Sequence, residues 1–219
     1  MKTDLQLDYL FDKFNILHKK HWDKKLNAIY GAWCINKPDL FFVFMNPTAK
    51  NISANKNWSW ICAPRLGTKN IWKLFKWASI ISAEMFDKIQ SMQSIDWDPK
   101  FCLDLYGSLS QNKIYITNLA KCTQIDARPL HDKIFKEYLA LMYQEITYVK
   151  PRIIITLWNQ VSSILLGKNI KVSDYTINQY EELKIENKIY RVYPTFYPVW
   201  QGMRNMDKAI MRIKHISDL

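Results

Sequence analysis

The chain has 219 residues, a length that suits one domain. Its 48% hydrophobic and 14% aromatic content supplies a core and excludes a disordered chain. The 31 lysines and arginines outnumber the 20 acids and give a net charge of +11, which favours a polyanionic partner, nucleic acid before an anionic membrane surface.

The chain opens with a helical pattern and continues with four short apolar runs. Residues 4–25 carry apolar residues at helical spacing between charged ones and predict one or two helices. The runs are rich in β-branched and aromatic residues and predict buried parallel strands. They cover residues 40–46, 113–119, 152–158 and 188–197.

Helical patterns lie between these strands, at residues 68–86, 131–149 and 159–167. Gly167 suits the end of the last helix, and the polar residues 168–187 predict a connector that could include a short helix. Alternating strands and helices predict an α/β fold, here a three-layer α/β/α sandwich with a central four-stranded, mainly parallel sheet. We expect one domain over residues 1–219, with residues 1–27 as an N-terminal helical extension.

Targeting and metal-binding signals are not recognisable. The N-terminus has acids among its apolar residues and no small-residue cleavage site, and no apolar run approaches the ~18–20 residues that span a bilayer. Neither a CxxC pair, an HExxH arrangement nor a glycine-rich phosphate loop occurs. We therefore expect a cytoplasmic protein without a cofactor or metal, whose cysteines are reduced and scattered in the fold. They are Cys34, Cys62, Cys102 and Cys122.

Polar residues follow the predicted strands at their carboxyl ends. In an open α/β sheet the ligand crevice lies beyond these ends, so the site is expected at this edge. The ends read Asn46-Pro47-Thr48, Asn118, Trp158-Asn159 and Tyr197-Pro198.

The segments at these ends resemble motifs of the uracil-DNA glycosylase superfamily, in the same order. FMNPT (44–48) is similar to the first motif, G-x-N-P-G in the mismatch-specific and single-strand-selective branches, and TKNIWKLF (68–75) to the helix that follows it in the mismatch-specific branch. YITNLAKC (115–122) resembles YITNVVKC of the iron–sulfur branch.

Two further segments continue the resemblance, which covers roughly residues 28–215. VKPRIIITLW (149–158) is similar to vrPkvIvaLG of the iron–sulfur branch, and YPTFYPVWQGMRN (193–205) to its second catalytic motif, PTyHPSxLLRN. Tyr197 stands where the family has a catalytic histidine, and Val199 where a serine follows.

Other departures concern the first motif and the cluster. Phe44 and Thr48 replace the first-motif glycines. Of the four cluster cysteines only Cys122 has a counterpart, and Tyr138 stands at the position of the one in the following helix. Because a cluster needs four placed thiolates, the resemblance implies no iron–sulfur cluster here.

The resemblance implies an enzyme that flips a pyrimidine out of DNA and hydrolyses its N-glycosidic bond. Asn46 would position the attacking water, although Asn-Pro is also a common turn. Asn118 would pair with the N3–H and O4 edge of uracil, or else cap the following turn. Tyr197 would donate a hydrogen bond to the leaving base, or merely pack.

The implied base-recognition residues also include Met45, Thr48 and Trp60, with Trp58 as the alternative to Trp60. An aromatic ring here would stack on the flipped base, or else fill apolar space beneath a long loop. Thr48 leaves more room for a 5-substituent than the tyrosine found in some branches.

A third set is expected to contact DNA. The segment 199–205 should enter the minor groove, where apolar wedges kink DNA. Basic side chains near the motifs could line a phosphate track, although each one alone is more often a solvated charge. The set consists of Lys50, Arg65, Lys69, Lys121, Trp200, Met203 and Arg204.

The sequence leaves three functions open. The default is a monofunctional glycosylase for uracil, since no lysine stands clearly at the motif ends, although Lys50 and Lys121 are close. The second is a glycosylase for a modified or 5-substituted pyrimidine, as in phage DNA, with a defence role. The third is an inactive DNA-recognition module, which Tyr197 and Val199 favour. We expect DNA as the partner, no membrane, no obligatory protein partner and a monomer.

Overall fold

A computed structural model describes residues 5–23, 25–58, 69–93, 96–127, 130–198 and 200–219. Six strands in this part of the chain form one mixed sheet. They are β1 (Ala32–Trp33), β2 (Leu40–Phe44), β3 (Ile114–Asn118), β4 (Ile153–Leu157), β5 (Glu181–Ile185) and β6 (Lys188–Thr195). Their order across the sheet is β1-β3-β2-β4-β6-β5.

The four central strands, β3, β2, β4 and β6, are parallel to their neighbours. These are the four predicted strands, so the predicted parallel centre is confirmed. The sheet is wider than predicted, because β1 and β5 pair antiparallel with β3 and β6 at its two edges. β1 has only two residues, too few for a pattern, and β5 alternates charged with apolar residues, as exposed edge strands do.

Helices cover both faces of the sheet in the described part of the chain. They are α1 (Leu5–His21), α2 (Lys69–Trp77), α3 (Ala83–Ser91), α4 (Pro99–Gln111), α5 (Asp132–Val149), α6 (Asn159–Leu166) and α7 (Met206–Ser217). Gly167 ends α6 at φ 66°, as predicted. The connector 168–187 contains a short 3-10 helix, Val172–Asp174, but also β5, which was not predicted.

The single helix predicted over 68–86 is wrong, because α2 and α3 are separate. Ser79 adopts a left-handed φ of 61°, which a continuing helix does not allow. Ser82 then starts α3, and its hydroxyl accepts a hydrogen bond from the Met85 N–H at 3.1 Å. The helices α4 and α7 were not predicted.

The alternation of side chains along β2 builds two separate cores. Leu40, Phe42 and Phe44 pack against α2, α3, α4 and α7, whereas Phe41 and Val43 pack against α1, α5 and α6. All five are buried. This arrangement confirms the three-layer α/β/α sandwich. None of the described helices is long and apolar enough to cross a membrane.

Candidate active site

The pairing of β2 with β3 continues beyond both strand ends. The Leu119 N–H donates to the Phe44 carbonyl at 2.7 Å, and the Ala120 N–H donates to the Met45 carbonyl at 3.1 Å. Further along, the Gln124 N–H donates to the Pro47 carbonyl at 3.0 Å. The first-motif segment and the segment after Asn118 therefore lie side by side, fixed by backbone hydrogen bonds.

Asn46 and Asn118 are both buried at this edge, with 6% and 1% of their surface exposed. The Asn46 amide donates to the Pro47 carbonyl at 3.2 Å, so one of its two N–H donors serves the local turn. Asn118 is the register partner of Phe44, and paired residues of parallel strands project from the same face. The structure thus brings Asn118 beside Phe44.

Tyr197 approaches the same place from the end of β6. Its ring meets the Phe44 ring edge to face, with 5.7 Å between the ring centroids. Phe44 is fully buried and Tyr197 is half-buried. Since Phe44 is also the register partner of Asn118, both Asn118 and Tyr197 neighbour this phenylalanine.

The turn after Tyr197 packs tightly against its backbone. Residues Trp200–Asn205 form a 3-10 helix that leads into α7. Gly202 in this helix lies so close that a Cβ atom would overlap the carbonyl oxygen of Tyr197. Glycine is therefore required here for a close backbone approach that fixes the position of Tyr197.

Trp158 is a notable residue that the sequence did not single out as functional. It follows β4 with φ 101° and ψ 148°, a conformation that essentially only glycine adopts without strain. Its N–H donates to the Thr195 carbonyl at 3.0 Å, and the Ser162 hydroxyl donates to its carbonyl at 2.8 Å. The resembling motif has a glycine at this position, and this difference was the signal in the sequence that could have pointed to Trp158.

A pocket of about 140 Å³ opens between Trp158 and the turn after Tyr197. Its walls are Trp158, Asn159, Val172, Phe196, Tyr197, Gly202 and Asn205. Asn46 and Asn118 are not among these residues.

The sequence of the chain was compared with models of known protein families. The model of the uracil DNA glycosylase superfamily matches residues 32–217, which include β1 to β6 and all the motif segments above. The chain belongs to the uracil DNA glycosylase superfamily. Members of this superfamily are generally DNA glycosylases, so a glycosylase-type function on DNA is supported. Among curated proteins, no match to the chain was found.

In this member of the superfamily, Lys121 does not face solvent. Its side chain is fully buried, and its ammonium lies 2.7 Å from the Glu145 carboxylate. The expected contact of Lys121 with a DNA phosphate is therefore wrong for this structure, because the charge is enclosed and already paired. The sequence alone could not reveal the partner, which lies 24 residues away on α5.

Met45 also lies apart from the other predicted site residues. Its side chain packs in the core formed with α1, α5 and α6, whereas Phe44 and Tyr197 pack in the opposite core. Strand alternation explains this, since successive residues point to opposite faces. The structure therefore does not bring the Met45 side chain to the Tyr197 face. Thr48 is half-buried and pairs with Gln124 in an isolated bridge.

The remaining predicted contacts are only partly described. Lys50, Met203 and Arg204 are exposed, as a DNA-binding role requires. Trp58 is half-buried and packs against the core near α2. Lys69 begins α2 and Trp200 begins the 3-10 helix. For Lys69 and Trp200 the structure describes the backbone only. Four further residues lie outside the described residues: Trp60, Cys62, Arg65 and Val199.

The residues around Cys122 do not fit an iron–sulfur cluster. Burial raises the pKa of the Cys122 thiol to about 11, and the thiol lies beside the Tyr138 phenol. Tyr138 in turn stacks with Phe14 of α1, at 6.2 Å between ring centroids. Cys102 lies in the opposite core. Within the described residues, no three His, Cys, Asp or Glu side chains converge on a common point.

Proposed function

We propose that this protein is a monofunctional DNA glycosylase that flips a pyrimidine, by default uracil, and hydrolyses its N-glycosidic bond. The observation that supports this most is the paired edge of β2 and β3. There the buried Asn46 and Asn118 follow adjacent strands, and Tyr197 packs on Phe44 from β6. The edge where α/β sheets bind ligands therefore carries the residue types that the proposed reaction would use.

Each polar residue would meet one demand of the reaction. Cleavage builds positive charge on the sugar and negative charge on the departing base. Asn46 would place the water that attacks the sugar, but an amide is no strong base, so chemistry should be slow. The Asn118 amide would match the N3–H and O4 edge of uracil. The Tyr197 hydroxyl would donate to the base oxygen that gains charge.

Lys121 supports the monofunctional assignment. A glycosylase that also cuts the strand needs an uncharged lysine free to attack the sugar. The Lys121 ammonium is enclosed and paired with Glu145, so it is unsuited to that role. Removal of the base alone, with water as the nucleophile, is the chemistry that these residues favour.

A 5-substituted pyrimidine is a second candidate substrate. Thr48 is half-buried at the end of the first motif, and its small side chain would leave room for a substituent on the base. A defence enzyme that excises modified bases from foreign DNA would use the same residues. Uracil and modified pyrimidines are therefore tested together.

The test is a glycosylase assay on labelled oligonucleotides. The targets are uracil opposite guanine, uracil in a single strand, thymine opposite guanine, and 5-hydroxymethylcytosine with and without glucose. Alkali-labile sites made by the wild type and lost in Asn46→Ala would support the proposal, and the best target would identify the pocket. DNA binding without release of any base would overturn it in favour of a recognition module.

Replacement of Tyr197 by phenylalanine separates hydrogen bonding from packing. Phenylalanine keeps the edge-to-face contact with Phe44, so the unfolding temperature should hardly change. Loss of the hydroxyl should lower single-turnover excision by about 10- to 100-fold. An unchanged rate would mean that Tyr197 only packs. Rapid-quench kinetics under enzyme excess measures the rate directly.

Replacement of Gly202 by alanine should displace the turn that holds Tyr197. Because the added Cβ would overlap the Tyr197 carbonyl, we expect excision to fall by about 10- to 100-fold. Gly107→Ala is the matched control, since a Cβ there meets nothing within 4 Å, and it should keep the wild-type rate. Equal rates in both variants would show that the turn does not position Tyr197.

A further inference from the structure

A buried polar cluster lies directly beneath Asn118. Its members are Tyr115, Thr117, Lys121 and Glu145, and none has exposed surface. The Glu145 carboxylate accepts hydrogen bonds from the Tyr115 and Thr117 hydroxyls, both at 2.8 Å. Its second oxygen accepts from the Lys121 ammonium at 2.7 Å.

The Lys121 ammonium is fully satisfied in this cluster. Its three donors go to Glu145, to the Thr117 hydroxyl and, at 2.6 Å, to the main-chain carbonyl of Asn118. The Phe14 ring of α1 covers it, with 4.6 Å from the nitrogen to the ring centroid. The charge is therefore aimed at the backbone of the predicted base-reading residue.

Stability alone does not account for this pair. Removing two charges from water is costly, and apolar residues of similar volume often stabilise a core equally well or better. A buried pair of this kind has its best-attested use in fixing one arrangement of the chain. The arrangement fixed here is the turn Asn118–Lys121, which Lys121 closes onto the carbonyl three residues before it.

Base reading by an amide depends on such a fixed arrangement. Uracil presents an N–H donor and a carbonyl acceptor, and cytosine presents the opposite pattern. An amide that rotates would accept either base. The Asn118 main chain is held on one side by the pairing with Phe44 and from beneath by Lys121.

We propose that Lys121 and Glu145 are positioning residues that fix Asn118 and thereby set the discrimination between uracil and cytosine. This inference rests on the proposed function. Lys121 is fully buried and would act on the base only through the Asn118 carbonyl. Its loss should therefore affect base selection more than the affinity for DNA.

The key comparison is between single and double variants. Lys121→Met and Glu145→Gln each leave one buried charge without its partner and should lower the unfolding temperature. The double variant Lys121→Met/Glu145→Gln removes both charges and should recover part of that loss. It still lacks the donor to Asn118, so its single-turnover rate on uracil should remain about 10- to 100-fold below wild type.

Binding provides a second measurement that needs no catalysis. Oligonucleotides with a 2′-fluorinated uracil or cytosine nucleotide resist cleavage and report base preference as a ratio of dissociation constants. We expect the double variant to lose most of the wild-type preference while its affinity for abasic DNA is kept. Lys20→Met/Glu137→Gln is the matched control, because this pair also joins a lysine to α5 but at the surface. It should behave as wild type.

The outcomes separate this inference from the proposed function. If the double variant regains stability together with wild-type rate and base preference, the pair is merely structural and the inference fails. If the wild type excises no base, the proposed function fails, and the side-chain amide NMR signals of Asn118 decide the inference. Shifted or broadened signals in the double variant support it, and unchanged signals overturn it. Thr117→Val, which keeps both charges, should cause a smaller loss in the same direction if the double variant does not fold.

Discussion

Replacement of Asn46 by alanine is expected to lower single-turnover excision by about 10²- to 10³-fold, with little change in affinity for abasic DNA. Asn46 is buried at the end of β2, and the pairing of its neighbours with the segment after β3 fixes its place. Alanine removes the amide that would hold the water but leaves the backbone pairing intact. The excision rate under enzyme excess on a uracil oligonucleotide, and the dissociation constant for the abasic oligonucleotide of the same sequence, separate the two effects.

Asn46→Asp is the informative companion to this variant. Aspartate keeps the shape of asparagine and adds a carboxylate that can accept a proton from the water. If activation of the water limits the rate, Asn46→Asp should match or exceed the wild type. If Asn46 serves only the turn with Pro47, alanine and aspartate should both leave the rate near wild type, and the proposed mechanism would then be wrong.

Replacement of Glu145 by alanine should lower the free energy of unfolding by about 3–5 kcal/mol, as expected when one partner of a buried ion pair is removed. The change would leave the Lys121 charge in the core and would strip the Tyr115 and Thr117 hydroxyls of their acceptor. Burial already lowers the pKa of Lys121, and the Glu145 carboxylate opposes that effect. Without Glu145, the lysine should lose its proton more readily.

Glu137→Ala is the control for this measurement. Glu137 lies on the same helix and pairs with Lys20 and His21 at the surface, where water screens the charges. Urea denaturation followed by circular dichroism should show a large shift of the midpoint for Glu145→Ala and a small one for Glu137→Ala. Similar midpoints for the two variants would show that the folded protein does not depend on Glu145 to neutralise the buried Lys121 charge.

The parallel centre of the sheet could be predicted because its strands are buried on both faces. A run such as LFFVF at 40–44 is typical of a buried core strand. The helical patterns between these runs predicted the helices that connect parallel strands. The edges were less predictable. β5, EELKI, exposes its charged residues to water, so its composition resembles that of a polar connector.

The candidate site was predictable only as far as it depends on strand ends. Asn46, Asn118 and Tyr197 follow strands, so their common edge could be predicted before their contacts were known. The role of Lys121 could not be predicted. In the sequence, a lysine that contacts a DNA phosphate looks the same as one that pairs with a distant buried glutamate. The strain at Trp158 belongs to the backbone, and the sequence hints at it only through the glycine that the resembling motif has at this position.

The burial of Cys102 and Cys122 has a consequence for the reactivity of their thiols. Burial raises the pKa of Cys102 to about 12 and that of Cys122 to about 11, so at neutral pH both thiols stay protonated. Peroxides and alkylating agents attack the thiolate form. These two cysteines should thus resist oxidation and alkylation.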